Sequence, residues 1–293
     1  MSEPDPPAPP PATLRVTGLL ERYGLRPKRT LGQNFLADAG LCEKIARTVS
    51  PGGGSVLEIG AGTGALTAPL LALGCRVTAI ETDRALCQVL RDSFAEPIRT
   101  GQLTLLEADV QALDLSTLFA ALPSPKALAG NLPYHLSGLL LRRTVELSPA
   151  PERSVFLLQL EVVERMCARP GSEPYGALSV FVQAVATPAR AFVVKRGAFY
   201  PQPNVDSAVV VLTPRARPVQ LDEVFSSLVR AAFEKRRKTL RNAWRNLAGV
   251  ALPVLEARAA TAGIDLNRRG EELGVDDFER MAAAVREDLE GGG

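Results

Sequence analysis

The residues best suited to chemistry are a glycine-rich turn and a few polar side chains spaced along the first half of the chain. In Val56-Leu-Glu-Ile-Gly-Ala-Gly-Thr-Gly-Ala-Leu-Thr67, an apolar strand pattern runs into Gly60, Gly62 and Gly64 and then into a helical pattern. Such a turn lets the backbone approach a ligand closely and presents free N–H groups at a helix N-terminus, which suits a nucleotide-like ligand. Its G-x-G-x-G spacing is not the dinucleotide fingerprint G-x-G-x-x-G, and a tight structural connection is the alternative reading of the turn taken alone. Glu81 is expected at the end of the second strand, where a doubly wound fold places the carboxylate that holds a ribose diol. Asp109 is expected at the end of the third strand, facing the same crevice or serving as the N-cap of the next helix. Taken together, the turn and the two acids describe a site for an adenosine-containing ligand.

The fourth strand ends in Gly130-Asn-Leu-Pro-Tyr134. An Asn amide oxygen and a neighbouring backbone carbonyl, stiffened by the proline, can accept hydrogen bonds from an exocyclic amine, and a tyrosine ring offers a stacking face for a base. These are the needs of amino-group methylation. An adenine amine is a poor nucleophile because its lone pair is delocalised into the ring, and two acceptors drawing its hydrogens favour a localised lone pair. No strong base is then required, which fits a chain with a single histidine, His135. The four cysteines form no C-x-x-C pair, so zinc clusters and disulfide frameworks lack their ligands and no metal is expected. Met166 and Trp244 read as packing residues.

These groups need a scaffold, and 293 residues at 46% hydrophobic and 23% charged suffice for a large core plus a small second domain. Six prolines among the first eleven residues make residues 1–14 a Pro-rich arm expected to be disordered. No membrane span or signal peptide is apparent, so the chain reads as cytoplasmic. Short apolar strands are expected at Ser55–Ile59, Arg76–Glu81, Leu103–Glu107, Ala127–Gly130 and Val155–Gln159, with helical stretches between them. That alternation predicts an α/β, Rossmann-like fold with a mostly parallel sheet over residues 15–214. A closing pair of strands is expected at Ala191–Lys195 and Ser207–Leu212. Residues 215–293 read as a small α-helical domain, with breaks near Pro253, Gly263 and Gly270–Gly274.

Charge is unevenly distributed. Residues 215–245 hold nine basic residues against three acids, Arg15–Arg29 hold five against one, and residues 271–290 hold eight acids against two bases. Basic blocks of this kind suit a polyanion, although a solvated helix face has the same composition. Arg230, Arg237, Arg241 and Arg245 share one face if a single helix runs through Lys238.

The combination of Lys28-Arg-Thr-Leu-Gly-Gln-Asn-Phe-Leu36, Glu58-Ile-Gly-Ala-Gly-Thr-Gly-Ala-Leu-Thr67, Glu81, Asp109, Asn131-Leu-Pro-Tyr134, Pro174-Tyr-Gly-Ala-Leu-Ser-Val180 and Gly197-Ala-Phe-Tyr-Pro-Gln-Pro-Asn-Val-Asp-Ser207 resembles the ribosomal RNA adenine N6,N6-dimethyltransferases, the kasugamycin-sensitivity methylases. The resemblance runs from about Lys28 to Glu290. It implies S-adenosylmethionine as methyl donor, with Asn34 and Leu36 flanking its methionine portion and Gln33 beside them. Gly60 and Gly62 would line it, Glu81 would hold the ribose hydroxyls, and Asp109 would meet the adenine amine. Asn131 would stand between donor and target, and Asn131, Leu132, Pro133, Tyr134 and Phe199 would form the catalytic set, with Tyr134 and Phe199 stacking on a flipped adenosine. The implied substrate is a pair of adjacent adenosines in a hairpin loop near the 3′ end of 16S rRNA, in the 30S subunit or its precursor. Arg230, Lys235, Arg236, Arg237, Lys238, Arg241 and Arg245 would contact its phosphates. A monomer with a role in subunit biogenesis is expected. A nicotinamide-dependent oxidoreductase would leave Asn131–Tyr134 without a task, and DNA adenine methylases typically carry Asp or Asn followed by Pro-Pro.

Overall fold

The computed structural model describes residues 16–28, 32–50, 52–132, 143–144, 147–234, 237–245, 247 and 252–291. The Pro-rich arm, Pro133, Tyr134, His135, Lys235 and Arg236 lie outside the described residues. The chain forms two compact units: residues 1–160 with 189–213, and residues 161–188 with 214–293. The second boundary falls beside the expected one at residue 214. Segment 161–188, expected with the first unit, belongs to the second, because its apolar residues Tyr175, Val180 and Ala184 are buried in the helical core.

In the first unit the helices are α1 (Val16–Arg22), α2 (Ala39–Val49), α3 (Thr67–Ala72), α4 (Arg84–Ser93), α5 (Ala95–Arg99) and α6 (Leu115–Ala120). Its main strands are β2 (Gly54–Ile59), β3 (Cys75–Glu81), β4 (Leu103–Glu107), β5 (Lys126–Asn131), β6 (Arg153–Gln159), β7 (Ala186–Val194) and β9 (Ser207–Pro214). They form a seven-stranded sheet in the order β4-β3-β2-β5-β6-β9-β7. The pairs from β4 through β6 are parallel, and β9 runs antiparallel to β6. The chain steps outward from β2 to β3 to β4 and then returns to β5 on the other side of β2, so a crevice opens at the carboxyl ends of β2 and β5. Short β1 (Phe35–Leu36) and β8 (Phe199–Tyr200), which have no sequence signal of their own, pair as a separate antiparallel ribbon.

Local sequence explains the elements. The near-continuous burial of β2 and β5 follows from helices covering both faces of a parallel sheet. Asp38, Asp83 and Asp114 each accept a backbone N–H in the first turn of α2, α4 and α6. The Lys126 ammonium donates to the carbonyls of Phe119, Ala120 and Leu122 at the end of α6, which ties that helix to the start of β5.

The second unit holds α7 (Leu160–Cys167), α8 (Ala177–Val185), α9 (Glu223–Glu234), α10 (Leu240–Ala243), α11 (Leu252–Thr261) and α12 (Val275–Gly291). Its core includes Phe225, Phe278, Tyr175 and Trp244, the last donating its indole N–H to the Leu228 carbonyl at 2.9 Å. Met166 and Trp244 are fully buried, as packing residues should be. Pro253, expected to break a helix, is instead the second residue of α11, where its missing N–H costs nothing. The helix supposed to run through Lys238 is also interrupted: α9 ends at Glu234, Arg237 and Lys238 are in a turn, and α10 starts at Leu240. The Leu240 and Arg241 N–H groups donate to the carbonyls of Arg268 and Leu266, which fixes the new direction. The four arginines therefore do not form a continuous helical stripe.

Gly64 has φ of +82° and faces the Phe94 ring, which a Cβ would strike. Gly64→Ala should therefore lower the unfolding free energy by at least ~2 kcal/mol, read as a reduced urea midpoint. A midpoint equal to that of the parent would show that Phe94 is free to move.

Candidate functional site

The strand ends of the first unit converge as the sequence pattern predicts. Register pairs Ile59 with both Ile80 and Gly130, and Glu81 with Glu107, so the Gly turn, Glu81, Asp109 and Asn131 stand along one sheet edge. A pocket there is lined by Gly60, Gly62, Glu81, Asp109, Asn131 and Leu132, by Gln33 and Asn34, and by the apolar side chains of Phe35, Ile80, Leu86 and Val110. Gly60 and Gly62 have φ of +75° and +58°, which L side chains rarely adopt. A Cβ on Gly62 would also lie 3.2 Å from the Phe35 ring.

Glu81 organises this edge. Its Oε2 accepts the Gly62 N–H at 2.8 Å, and its Oε1 accepts those of Thr82 at 2.9 Å and Asp83 at 2.8 Å. Of roughly four acceptor positions on a carboxylate, these bonds leave one, on Oε2, for a ligand hydroxyl. Burial raises the pKa of Glu81, and the three N–H groups oppose that rise.

Asp83 is a site residue that sequence reasoning missed, although its N-cap position two residues after Glu81 was a readable signal. Its Oδ2 accepts from Gln33 Nε2 at 3.0 Å and pairs with Lys28 Nζ at 2.8 Å. The Lys28 N–H in turn donates to Gln33 Oε1 at 2.8 Å. Burial pushes the Asp83 carboxyl up, but Lys28, Gln33 and the Ala85 N–H hold it below the usual carboxylate range. Gln33 is thus fixed at the pocket wall.

Asn131 donates its Nδ2 to the Asn34 carbonyl at 2.8 Å. That bond uses one of the two amide N–H groups and orients the side chain, and among the described residues its acceptor Oδ1 has no partner, so it is open to a ligand amine. Asp109 is exposed, and its Oδ1 accepts the Gln111 N–H at 2.9 Å. It therefore caps the short helical turn at Val110–Ala112 and lines the pocket at once, so the two readings of this residue are compatible. Arg143 braces the same turn by donating to the Val110 carbonyl at 2.7 Å and to that of Leu113.

Two expected site residues stand elsewhere. Leu36 and Phe199 face each other across the β1–β8 ribbon, are 4% and 5% exposed, and pack in the first unit's hydrophobic core, not in the pocket wall. An inward-facing apolar side chain on a short ribbon gains more from burial than from solvent. In the second unit, Arg241 pairs with Glu256 and Arg230 pairs with Glu223 at 3.6 Å, while Arg237, Lys238 and Arg245 are exposed. Lys235 and Arg236 are outside the described residues.

The family model for ribosomal RNA adenine dimethylase matches residues 24–286. The ribosomal RNA small subunit methyltransferase A of Anaeromyxobacter sp. strain K is 46% identical over 275 residues, covering 90% of this chain and 95% of that protein. Its counterpart in Moorella thermoacetica is 40% identical, covering 93% of this chain and 97% of that one. A dimethyladenosine transferase from Plasmodium falciparum superposes with a TM-score of 0.69 at 25% identity, over 88% of this chain and 98% of that one. The 23S rRNA methyltransferase ErmE shares the fold, with a TM-score of 0.62 at 24% identity, over 86% of this chain and 99% of its own.

Beneath the Gly turn, Glu58 is 1% exposed and accepts the Thr67 hydroxyl at 2.7 Å, joining β2 to the first residue of α3. Burial pushes its pKa from the ordinary 4.5 up to about 8; the Thr67 bond opposes this and the Glu81 charge adds to it. The folded chain thus holds a proton that the unfolded chain releases, and this acid makes stability fall as pH rises from about 4.5 to about 8. The slope is up to roughly 1.4 kcal/mol per pH unit. Glu58→Gln should remove that slope, and urea titrations across the window check it. An unchanged slope would mean that Glu58 is not protonated in the folded chain.

Proposed function

Because the chain belongs to the ribosomal RNA adenine dimethylase family, we propose that it transfers methyl groups from S-adenosylmethionine to the N6 atoms of two adjacent adenosines in the 3′-terminal hairpin loop of 16S rRNA. It acts as a cytoplasmic monomer on the 30S subunit or its precursor. The observation that carries this reading is the Asn131 amide, held through its nitrogen so that its oxygen serves as a fixed acceptor beside a pocket suited to an adenosine ligand.

The pocket residues fit the donor by their chemistry. Glu81 keeps one acceptor position for a ribose hydroxyl, and Asp109 keeps its Oδ2 for the adenine amine. Phe35, Ile80, Leu86 and Val110 would cover the purine, while the backbone at Gly60 and Gly62, with Gln33 and Asn34, would hold the methionine portion. When bound, S-adenosylmethionine supplies a methyl group on a positively charged sulfur, a strong electrophile.

Asn131 Oδ1 and the Leu132 carbonyl accept the two hydrogens of the target amine and localise its lone pair for attack. Pro133 would stiffen that carbonyl, and Tyr134 would stack on the target base. Phe199 acts through packing instead, anchoring the ribbon that places Phe35 at the pocket. Among the described residues no strong base lines this part of the pocket, and water takes the proton after the methyl has moved. In the second unit, the exposed Arg237, Lys238 and Arg245 would contribute phosphate contacts to rRNA affinity, with Lys235 and Arg236 beside them in sequence.

Mass spectrometry of 16S rRNA should show dimethyladenosine at two adjacent positions after undermethylated 30S subunits are incubated with enzyme and donor; unmodified rRNA would overturn the proposal. Asn131→Ala should lower kcat by roughly a hundredfold, as loss of one preorganised polar group does, and leave rRNA affinity unchanged. Turnover equal to that of the parent would remove Asn131 from the chemistry.

A further inference from the structure

Among the described residues, four large hydrophobic side chains are exposed, and three of them, Val193, Tyr200 and Val205, lie between residues 193 and 205. Exposed apolar side chains gathered in one stretch of chain point to a contact surface more than a single exposed residue does. Its position is set by the β1–β8 ribbon. Successive side chains on a strand face opposite ways, so Tyr200 lies on the other face of the ribbon from the buried Phe199, the face of its register partner Phe35, and is 41% exposed. Tyr200 is the register partner of Phe35, which lines the donor pocket and lies against Gly62. An exposed aromatic ring therefore stands one strand from the pocket wall, outside both the pocket lining and the core.

The surrounding charge selects the partner. Lys195 and Arg196 precede the ribbon and are both exposed. Asp206 pairs with Lys195 at 2.8 Å and accepts the Arg196 N–H at 3.0 Å, which closes the loop while leaving the Arg196 guanidinium at the surface. The loop backbone is thus pinned at Asp206 and at the buried Phe199, on either side of Tyr200. An exposed aromatic with an exposed arginine four residues before it offers a face on which an unpaired base can stack and a cation for an adjoining phosphate.

We propose that Tyr200 is a stacking platform for an unpaired rRNA nucleotide next to the target adenosine, with Arg196 meeting the backbone beside it. The inference rests on the rRNA reading above and adds a contact that sets RNA affinity without touching the reacting atoms.

The test is steady-state methylation of undermethylated 30S subunits by the full-length enzyme and its Tyr200→Ala and Tyr200→Phe variants, with donor affinity measured alongside. Tyr200→Ala should raise KM for the subunit roughly tenfold, as loss of one base–aromatic stack does, with kcat and donor affinity unchanged. Tyr200→Phe should behave like the parent. An unchanged KM in Tyr200→Ala, a Tyr200→Phe variant as impaired as Tyr200→Ala, or a parallel loss of donor affinity would each overturn the platform. A binding readout separates this proposal from the methylation reading. Trp244 is fully buried, so in Tyr200→Trp the exposed indole reports directly on stacking. A single-stranded RNA hairpin loop should quench its fluorescence; absence of quenching would overturn the platform even where the parent methylates rRNA. A parent that fails to methylate would overturn the reaction assignment alone.

Discussion

The Glu81 carboxylate, buried at the end of β3 and accepting three backbone N–H groups, is the constraint on which the site depends. One of those groups belongs to the Gly turn after β2, and two belong to the approach to α4. A single side chain therefore fixes the glycine turn, the strand end and the helix start relative to one another. The desolvation cost of a buried carboxylate is tolerable here because charge-assisted hydrogen bonds replace water around it. The same bonds hold the remaining acceptor position ready for a ligand, so little reorganisation accompanies binding.

Two further side chains extend this order to the segment that precedes β1. Asp83 holds Gln33 and Lys28 on one side, and Asn131 holds the Asn34 carbonyl on the other. The Asn131 bond has a second consequence. The residue proposed to receive the target amine is oriented by the backbone proposed to line the methionine portion of the donor, so the donor and acceptor halves of the reaction share one hydrogen bond. Removing it would loosen both.

Much of this was legible in the sequence because it depends on local pattern. β2 through β6 were read from short apolar runs, and the end-of-strand positions of Glu81, Asp109 and Asn131 followed from the parallel alternation. What escaped depends on contacts between distant residues. The β1–β8 ribbon has two residues per strand, too few for any periodic signal, yet it decides that Phe199 is buried and Tyr200 is not. The break between α9 and α10 is fixed by the Arg268 and Leu266 carbonyls, far along the chain, while the local sequence reads as continuous helix. Segment 161–188 carries strand-flanking helices by pattern, but its aromatic and apolar residues fit the other core.

The most direct test of the account is the donor affinity of Glu81→Gln, measured by calorimetry with S-adenosylmethionine on the folded variant. An amide in this place sets an NH2 group against the backbone donors of Gly62, Thr82 or Asp83, so at least one bond becomes a repulsion. The account requires affinity to fall by about tenfold to a hundredfold, corresponding to charge-assisted bonds of roughly 1.5–3 kcal/mol. An affinity equal to that of the parent would contradict it and show that the pocket is organised by something other than the Glu81 carboxylate.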